Sequence, residues 1–263
     1  MNAYNEPMKP IHFVKAGAGL PVILLHAIGL DGNWWTAYVE RFKSSFTVVC
    51  PDLRGHGLSP HAWDLITLQD HANDISTLIA SLGGKAHLVG VSMGGMVAQE
   101  VALRFPEQII TLSLLSTMAD LPDAARESVA ARGTPLPDGM TSHIRETVCR
   151  WVGEKNMNSD FAERCSIQLK RQNPNSWANN WRAISHIDTL PRLSSIRCRT
   201  LVATGSEDMS TPPSIAERIA NAINQKSRQA SVHTVPNAGH LGVFENPEPF
   251  LGLLVKHLKN KAN

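Results

Sequence analysis

Short aliphatic runs alternate with helix-period segments along most of the chain. Runs that are apolar throughout are typical of parallel strands that are buried on both faces of a sheet. We predict parallel strands at residues 22–25, 46–49, 86–89, 110–115, 201–203 and 231–235, and an antiparallel edge strand at residues 11–14. This alternation of strands and helices predicts an α/β fold, in which helices cover a mostly parallel sheet.

One amphipathic helix is well marked between the second and third parallel strands. Its apolar face is formed by Leu68, Ala72, Ile75, Ile79 and Leu82. Thr67 and Asp70 have the spacing of a capping box, in which each side chain bonds the backbone N–H of the other residue. Gly83 and Gly84 follow the last apolar position, so the helix is predicted to end there.

The alternation stops between about residues 117 and 192, where polar and helix-like segments replace the strands. We interpret residues 118–192 as a helical cap inserted into a core that residues 1–117 and 193–263 form. This segment holds three of the six tryptophans, Trp151, Trp177 and Trp181, which packing between cap helices would explain.

Composition excludes several classes of protein. Hydrophobic residues make up 43% of the chain, charged residues 18%, and the net charge is +2, as in soluble globular proteins. No basic run is present to follow a nucleic acid backbone, and no apolar run approaches the length of about 20 residues that crosses a membrane. We therefore expect a cytoplasmic protein with no nucleic acid or membrane partner. Its oligomeric state is not predicted.

The four cysteines are widely separated and form no CxxC pair, so neither disulfides nor a metal site is indicated. Gly17-Ala18-Gly19 is too short for a dinucleotide-binding loop. We expect no metal and no cofactor.

The segment Gly90-Val91-Ser92-Met93-Gly94 carries the strongest chemical signal, because it directly follows a strand and precedes a helix-forming run. A GxSxG turn at that place needs small residues, since strand and helix crowd each other there. Such a turn lifts the serine hydroxyl out of the sheet, beside a helix N-terminus that favours negative charge. Ser92 is therefore the predicted nucleophile.

A serine needs a general base, and the base needs an acid to orient it. His240 lies in a small-residue loop between the last strand and the C-terminal helix, which is the place expected for the base. Asp208 follows the preceding strand and can reach the same edge of the sheet, so we predict it as the acid, with the adjacent Glu207 as its rival.

Two further loops surround the predicted nucleophile. His26-Ala27-Ile28-Gly29 follows the first parallel strand, and we predict that the backbone N–H groups of Ile28 and Met93 form the oxyanion hole. His26 is interpreted as a residue that holds this loop. Asp52-Leu53-Arg54-Gly55-His56-Gly57-Leu58-Ser59 is interpreted as a structural turn.

These motifs, in this order, resemble the α/β-hydrolase superfamily over nearly the whole chain. The Gly90–Gly95 turn, the loops at His26 and Asp52, Arg150-Trp151 and Trp181-Arg182-Ala183 look most like 3-oxoadipate enol-lactonases and related carboxylesterases. The resemblance implies an eight-stranded, mostly parallel sheet and an acyl-enzyme route that opens a small enol-lactone in aromatic catabolism. Ala27 departs from the pattern, because these enzymes usually carry glycine after the loop histidine.

The implied substrate is a small ester or lactone with a free carboxylate, which Arg132 or Arg150 could pair with. Trp35, Met118 and Trp151 are further candidates for contact with the substrate.

Other functions stay open on the same triad, among them a general carboxylesterase and an acyl-homoserine lactonase. A meta-cleavage-product C–C hydrolase usually has proline in the oxyanion loop, which residues 26–32 lack. A ligand-binding protein or a nonhydrolytic enzyme of this fold is a different class, against which the complete triad argues.

Overall fold

In the computed structural model, residues 9–61, 65–134, 140–227 and 229–259 are described. Within them, seven strands form one sheet in the order β1-β3-β2-β4-β5-β6-β7. The strands are β1 (Phe13–Ala16), β2 (Pro21–Leu25), β3 (Thr47–Pro51), β4 (Ala86–Val91), β5 (Ile109–Leu115), β6 (Arg199–Gly205) and β7 (Ala230–Val235). Only β1 is antiparallel to its neighbour, which confirms the predicted edge strand.

The central strands are buried along their length because both faces of the sheet are covered. All residues of β2 and β4 are buried, and in the parallel register Leu24 lies opposite Val89 and Leu88 opposite Leu112. The six parallel strands lie where the apolar runs predicted them, with ends that differ by at most two residues.

The number of strands differs from the expectation of eight. The described part of the chain contains seven, and the apolar runs of the sequence also mark seven. The eighth was implied by the resemblance alone. Strand β1 lies about two residues later than predicted, because Ile11 is buried ahead of the strand instead of pairing within it.

The core helices lie between successive strands or follow the last strand, β7. They are α1 (Thr36–Phe42), α2 (Leu68–Ser81), α3 (Met93–Arg104), α8 (Pro213–Ser227), α9 (Gly242–Glu245) and α10 (Pro247–Lys259). The capping box of Thr67 and Asp70 is present at the start of α2, as predicted. Helix α3 is buried from Met93 to Ala102, which places the helix behind Ser92 at the centre of the molecule.

Four helices lie between β5 and β6: α4 (Asp123–Ala131), α5 (Thr141–Val152), α6 (Asp160–Lys170) and α7 (Pro174–Ser185). Helix α4 packs against α7, and α5 packs against α6. We call residues 118–192 the cap. The boundaries of the cap at residues 118 and 192 stay predictions. No helix in the described ranges combines the length and apolar content needed to traverse a bilayer.

Candidate active site

Ser92 occupies a sharp turn between β4 and α3. Its backbone has φ 53° and ψ −118°, a conformation that costs a non-glycine residue about 1–3 kcal/mol. A Cβ at Gly90 would lie 2.2 Å from the carbonyl oxygen of Gly94, and a Cβ at Gly94 would lie 2.4 Å from that of Leu25. Only glycine fits at these two positions, which explains why strand, turn and helix can pack so closely around the serine.

The structure brings Ser92 and His240 together from distant parts of the chain. The Nε2 atom of His240 lies 3.0 Å from the Oγ atom of Ser92. Both side chains belong to buried residues, with 8% of Ser92 and 3% of His240 exposed. His240 follows β7 in a loop that the cap also holds, because its backbone N–H donates to the carbonyl oxygen of Trp151 at 3.2 Å. The arrangement lets the ring accept the hydroxyl proton.

Asp208 orients the other side of the imidazole ring. Both carboxylate oxygens lie 3.0 Å from the Nδ1 atom of His240. The carboxylate also accepts hydrogen bonds from the backbone N–H of Ser210 at 2.9 Å and from the N–H and hydroxyl of Thr211 at 2.8 and 2.7 Å. The hydroxyl of Thr204 donates to it at 3.1 Å.

These contacts keep the acid ionised. Burial opposes ionisation, but the charge and hydrogen bond of His240 and the donors of Thr211 outweigh burial and lower the pKa of Asp208 to about 2. Thr204 and Thr211 were not predicted from the sequence as orienting groups. Their signal is the placement of hydroxyl residues four positions before and three positions after the acid, where a turn returns them to the carboxylate.

Glu207, the rival acid, points to a different partner. Its carboxylate forms an ion pair of 2.8 Å with Lys155 of the cap, and both side chains are largely exposed. The geometry therefore favours Asp208 over Glu207 as the partner of His240.

The residues predicted to form the oxyanion hole are both buried, Ile28 at 2% exposure and Met93 at 0%. Among the described residues, neither backbone N–H has a hydrogen-bond acceptor. Unpaired buried N–H groups are rare and suit the binding of negative charge. The oxyanion loop also packs directly on the nucleophile turn, since a Cβ at Gly94 would lie 2.7 Å from the carbonyl oxygen of His26.

His26 and Asp52 hold this loop from below. The Nδ1 atom of His26 bonds the carbonyl oxygen of Ala27 at 2.8 Å, and its Nε2 atom accepts the N–H of Leu53 at 2.9 Å. Burial lowers the pKa of His26, in keeping with a neutral ring that donates at one nitrogen and accepts at the other. Asp52 accepts the N–H groups of Gly32 and Leu58, each at 2.8 Å. The contacts support structural roles for both residues.

The cap reaches the oxyanion loop through tryptophans. A Cβ at Gly29 would lie 2.9 Å from the Trp177 ring and 3.7 Å from that of Trp151. Trp177 and Trp181 meet edge to face with ring centroids 5.7 Å apart. Trp151, a predicted substrate contact, thus lies beside the site, whereas Trp177 and Trp181 had been interpreted as cap packing only.

Arg132 and Arg150 both lie near the same indole ring. Their guanidinium carbons lie 5.3 Å and 5.9 Å from the centroid of Trp181. Burial lowers the pKa of both groups, and the positive charge of Arg132 lowers that of Arg150 further. In the described residues, the only carboxylate within 4.0 Å of either guanidinium is that of Glu146, 3.8 Å from Arg150 and largely exposed. We call Arg132, Trp181 and Arg150 the arginine pair and its platform.

The remaining predicted substrate contacts are Trp35 and Met118. Trp35 is fully buried, with its ring centroid 4.9 Å from that of Tyr38 and 4.8 Å from that of Phe244. These contacts support packing in the core. Met118 is half-buried against the core, and its carbonyl oxygen accepts a bond of 3.0 Å from Gln99.

A metal site would need several ligand side chains grouped together. Within the described ranges, no three His, Cys, Asp or Glu side chains are grouped so that they could hold a metal ion. The free cysteines Cys50, Cys149, Cys165 and Cys198 include two that are buried, and burial raises the pKa of the Cys50 and Cys165 thiols to about 12.

Comparison with known proteins agrees with this fold. The model of the alpha/beta hydrolase family matches residues 22–253, and the chain belongs to this family. It is similar to 3-oxoadipate enol-lactonase 1 of Acinetobacter baylyi, with 28% identity over 91% of this chain and 88% of that protein.

Two further likenesses cover most of the chain. The (E)-2-((N-methylformamido)methylene)succinate hydrolase of the same organism is 28% identical over 90% of this chain and 89% of that protein. The structure of a thermophilic esterase from Thermogutta terrifontis with bound malate superposes with a TM-score of 0.85 at 30% identity, covering 95% of this chain and 93% of that one.

Proposed function

We propose that the protein is a serine hydrolase that cleaves a small ester or lactone through an acyl-enzyme intermediate. The observation that carries the proposal is the continuous chain of contacts from Ser92 Oγ through His240 to Asp208, with two links of 3.0 Å. This is the geometry of nucleophile, base and orienting acid.

The first half-reaction forms the acyl-enzyme. Ser92 Oγ attacks the ester carbonyl while His240 Nε2 takes the hydroxyl proton, and Asp208 stabilises the resulting imidazolium. The carbonyl oxygen becomes an oxyanion that the N–H groups of Ile28 and Met93 bind, an effect worth about 3–4 kcal/mol per donor. The C–O bond to the leaving group breaks, and His240 returns the proton to the departing alkoxide or enolate.

The second half-reaction repeats these steps with water. His240 takes a proton from water, the hydroxide attacks the acyl carbon, and the proton passes to Ser92 Oγ as the acyl bond breaks. The products are a carboxylic acid and an alcohol or, for an enol-lactone, a single ring-opened keto acid. No further reactant is needed.

The arginine pair and its platform support a substrate that carries a free carboxylate. Two partly buried guanidinium groups repel each other, and a bound carboxylate relieves that repulsion through charge-assisted hydrogen bonds. The names of both relatives describe substrates derived from dicarboxylic acids, a 3-oxoadipate lactone and a succinate, and the similar esterase holds malate. These features support an enol-lactone of the 3-oxoadipate type as the substrate.

The proposal is tested with a fluorophosphonate probe and a substrate panel. The probe is expected to label wild-type protein at Ser92, as located by peptide mass spectrometry, and to leave Ser92→Ala unlabelled. Ser116→Ala is the matched control, because Ser116 is a buried serine near the turn whose hydroxyl has no partner among the described residues.

The panel contains 3-oxoadipate enol-lactone, short p-nitrophenyl esters, an acyl-homoserine lactone and a meta-cleavage dienoate. We expect Ser92-dependent turnover with the highest kcat/KM for the enol-lactone. Preference for another member would replace the substrate and keep the mechanism. A folded protein that neither reacts with the probe nor turns over any ester would contradict the acyl-enzyme mechanism.

A further inference from the structure

A cavity lies at the end of the sheet opposite to the triad. It has a volume of about 1050 Å³. Its walls include Leu20 and Phe46, which precede β2 and β3, and residues at the start of β6 and β7. Ser92, Asp208 and His240 instead follow the carboxyl ends of their strands. We call this cavity the basal groove, and it is separate from the proposed active site.

The inner wall of the groove is mostly apolar. Phe46, Leu201 and Leu258 are buried residues that line it, and Leu20 and Leu253 extend the apolar surface toward the opening. An apolar wall of this kind stabilises a hydrocarbon chain by about 0.8 kcal/mol for each buried CH₂ group.

The groove also collects positive charge. Arg197, Arg199, Lys256 and Lys259 line it, whereas no aspartate or glutamate of the described residues does. Among the described residues, none of these four side chains has a carboxylate within 4.0 Å. The whole chain has a net charge of only +2, so this concentration is local.

The polar side chains considered next, those of Arg199, His87 and His257, do not neutralise the positive charge of the groove. Arg199 donates to the carbonyl oxygen of His257, and its Nε atom is buried without a partner in the described residues. Burial and the charge of Arg199 lower the pKa of His87 and of His257 to about 4, so both rings are neutral at pH 7. The neutral rings therefore add no charge to the groove.

We propose that the basal groove binds an amphipathic carboxylate, with its hydrocarbon tail against the apolar wall and its head among the four cations. Charge complementarity selects the anionic head, since the described lining of the groove offers four cationic side chains and no acid. The apolar wall selects a tail over a small inorganic anion. The site is independent of the proposed function, because it shares no residue with the triad, the oxyanion loop or the cap.

The test uses decanoate as the probe and the full-length protein with Ser92 blocked by a fluorophosphonate. Decanoate is expected to shift the backbone amide resonances of Ala230 and Ser231 in a saturable manner, while those of Gly239 and Leu241 near the triad stay in place. 1-Decanol, which has the tail without the charge, is expected to bind at least tenfold more weakly.

Variants separate the groove from nonspecific attraction. The double variant Arg197→Ser with Lys256→Ser is expected to weaken decanoate binding at least tenfold and to leave ester hydrolysis unchanged. Lys15→Ser with Arg41→Ser removes the same charge from exposed positions outside the groove and is expected to bind normally. Ser231→Trp fills the groove from an exposed position and is expected to abolish binding.

Three results would overturn the proposal. They are the absence of saturable shifts at Ala230 and Ser231, equal binding by both double variants, and binding only by a chain that ends at Lys259. The last result would mean that residues 260–263 take the place assigned to the carboxylate.

Discussion

The core loops and the cap approach the candidate active site in different ways. In the core, Ser92, His240 and Asp208 each follow a strand, and every polar atom of the acid has a donor. In the cap, Arg132 and Arg150 lie near Trp181, and among the described residues one exposed carboxylate, that of Glu146, lies within 4.0 Å of them. The polar atoms of Asp208 are paired within the protein, whereas the charges of the two arginines are paired less fully by the described residues. The comparison suggests that chemistry belongs to the core and substrate selection to the cap.

The largest expected effect is on the core side. Asp208→Asn keeps the shape of the side chain but removes the charge that stabilises the imidazolium, so kcat should fall by about 10³–10⁴-fold. Glu207→Gln is the matched control, because Glu207 pairs with Lys155, and its kcat should stay within about threefold of wild type. Steady-state kinetics on one ester measures both, and the reverse pattern would make Glu207 the acid.

The contact between cap and core should be sensitive to acid. His71 on α2 bonds Asn180 on α7 at 2.8 Å, and burial lowers its pKa from 6.5 to about 4. The unfolded chain binds this proton more readily, so the free energy of unfolding should be highest above pH 6.5 and fall as the pH drops toward 4. The loss assigned to His71 is about 3 kcal/mol at pH 4.

His71→Gln can still donate to Asn180 but does not titrate. Urea unfolding between pH 7 and pH 4 should therefore show a smaller loss for this variant than for wild type. Equal losses in the two proteins would mean that His71 is accessible to protons in the folded state. The contact between cap and core would then not depend on a neutral ring.

The nucleophile turn should tolerate no extra methyl group. In Gly94→Ala the new Cβ would meet the carbonyl oxygens of Leu25 and His26, so we expect destabilisation of about 1–3 kcal/mol and reduced kcat. Gly252→Ala is the control, because a Cβ there meets nothing within 4 Å. Since alanine favours the helical conformation of α10, the free energy of unfolding should rise by about 1 kcal/mol. Urea unfolding and kinetics check both variants.

The smallest expected effect tests the cap directly. Arg150→Gln should raise KM for a carboxylate-bearing substrate by about 10–100-fold through the loss of a charged hydrogen bond. The KM for neutral p-nitrophenyl acetate should not change. Arg145→Gln on the same helix is the control, since Arg145 pairs with exposed Glu154. An equal rise in KM for both substrates would assign Arg150 a structural role instead.

Local sequence patterns predicted the elements that depend on neighbours in the chain. The capping box of Thr67 and Asp70, the strand before Ser92 and the helix after it are all found in the structure. A turn motif constrains a few adjacent φ and ψ angles, and an apolar run must be buried, so both can be recognised without knowledge of the fold.

The cap was less predictable. Nothing in the local sequence shows that Arg132 and Arg150 both approach the ring of Trp181, because these residues come from three separate segments whose relative positions depend on helix packing. For the same reason, the sequence alone indicates Trp35 as a candidate for substrate contact, whereas in the structure Trp35 is buried against Tyr38 and Phe244.

By itself, the sequence determined the α/β fold class, the positions of the strands and the candidate roles of Ser92, Asp208 and His240. These follow from local burial requirements and from turns that need particular residues. Tertiary structure alone decided the partner of His240, the hydroxyls that hold Asp208, the arginine pair and its platform, and the basal groove. Each of these depends on distances between residues far apart in the chain, which only the packing of the sheet, helices and cap sets.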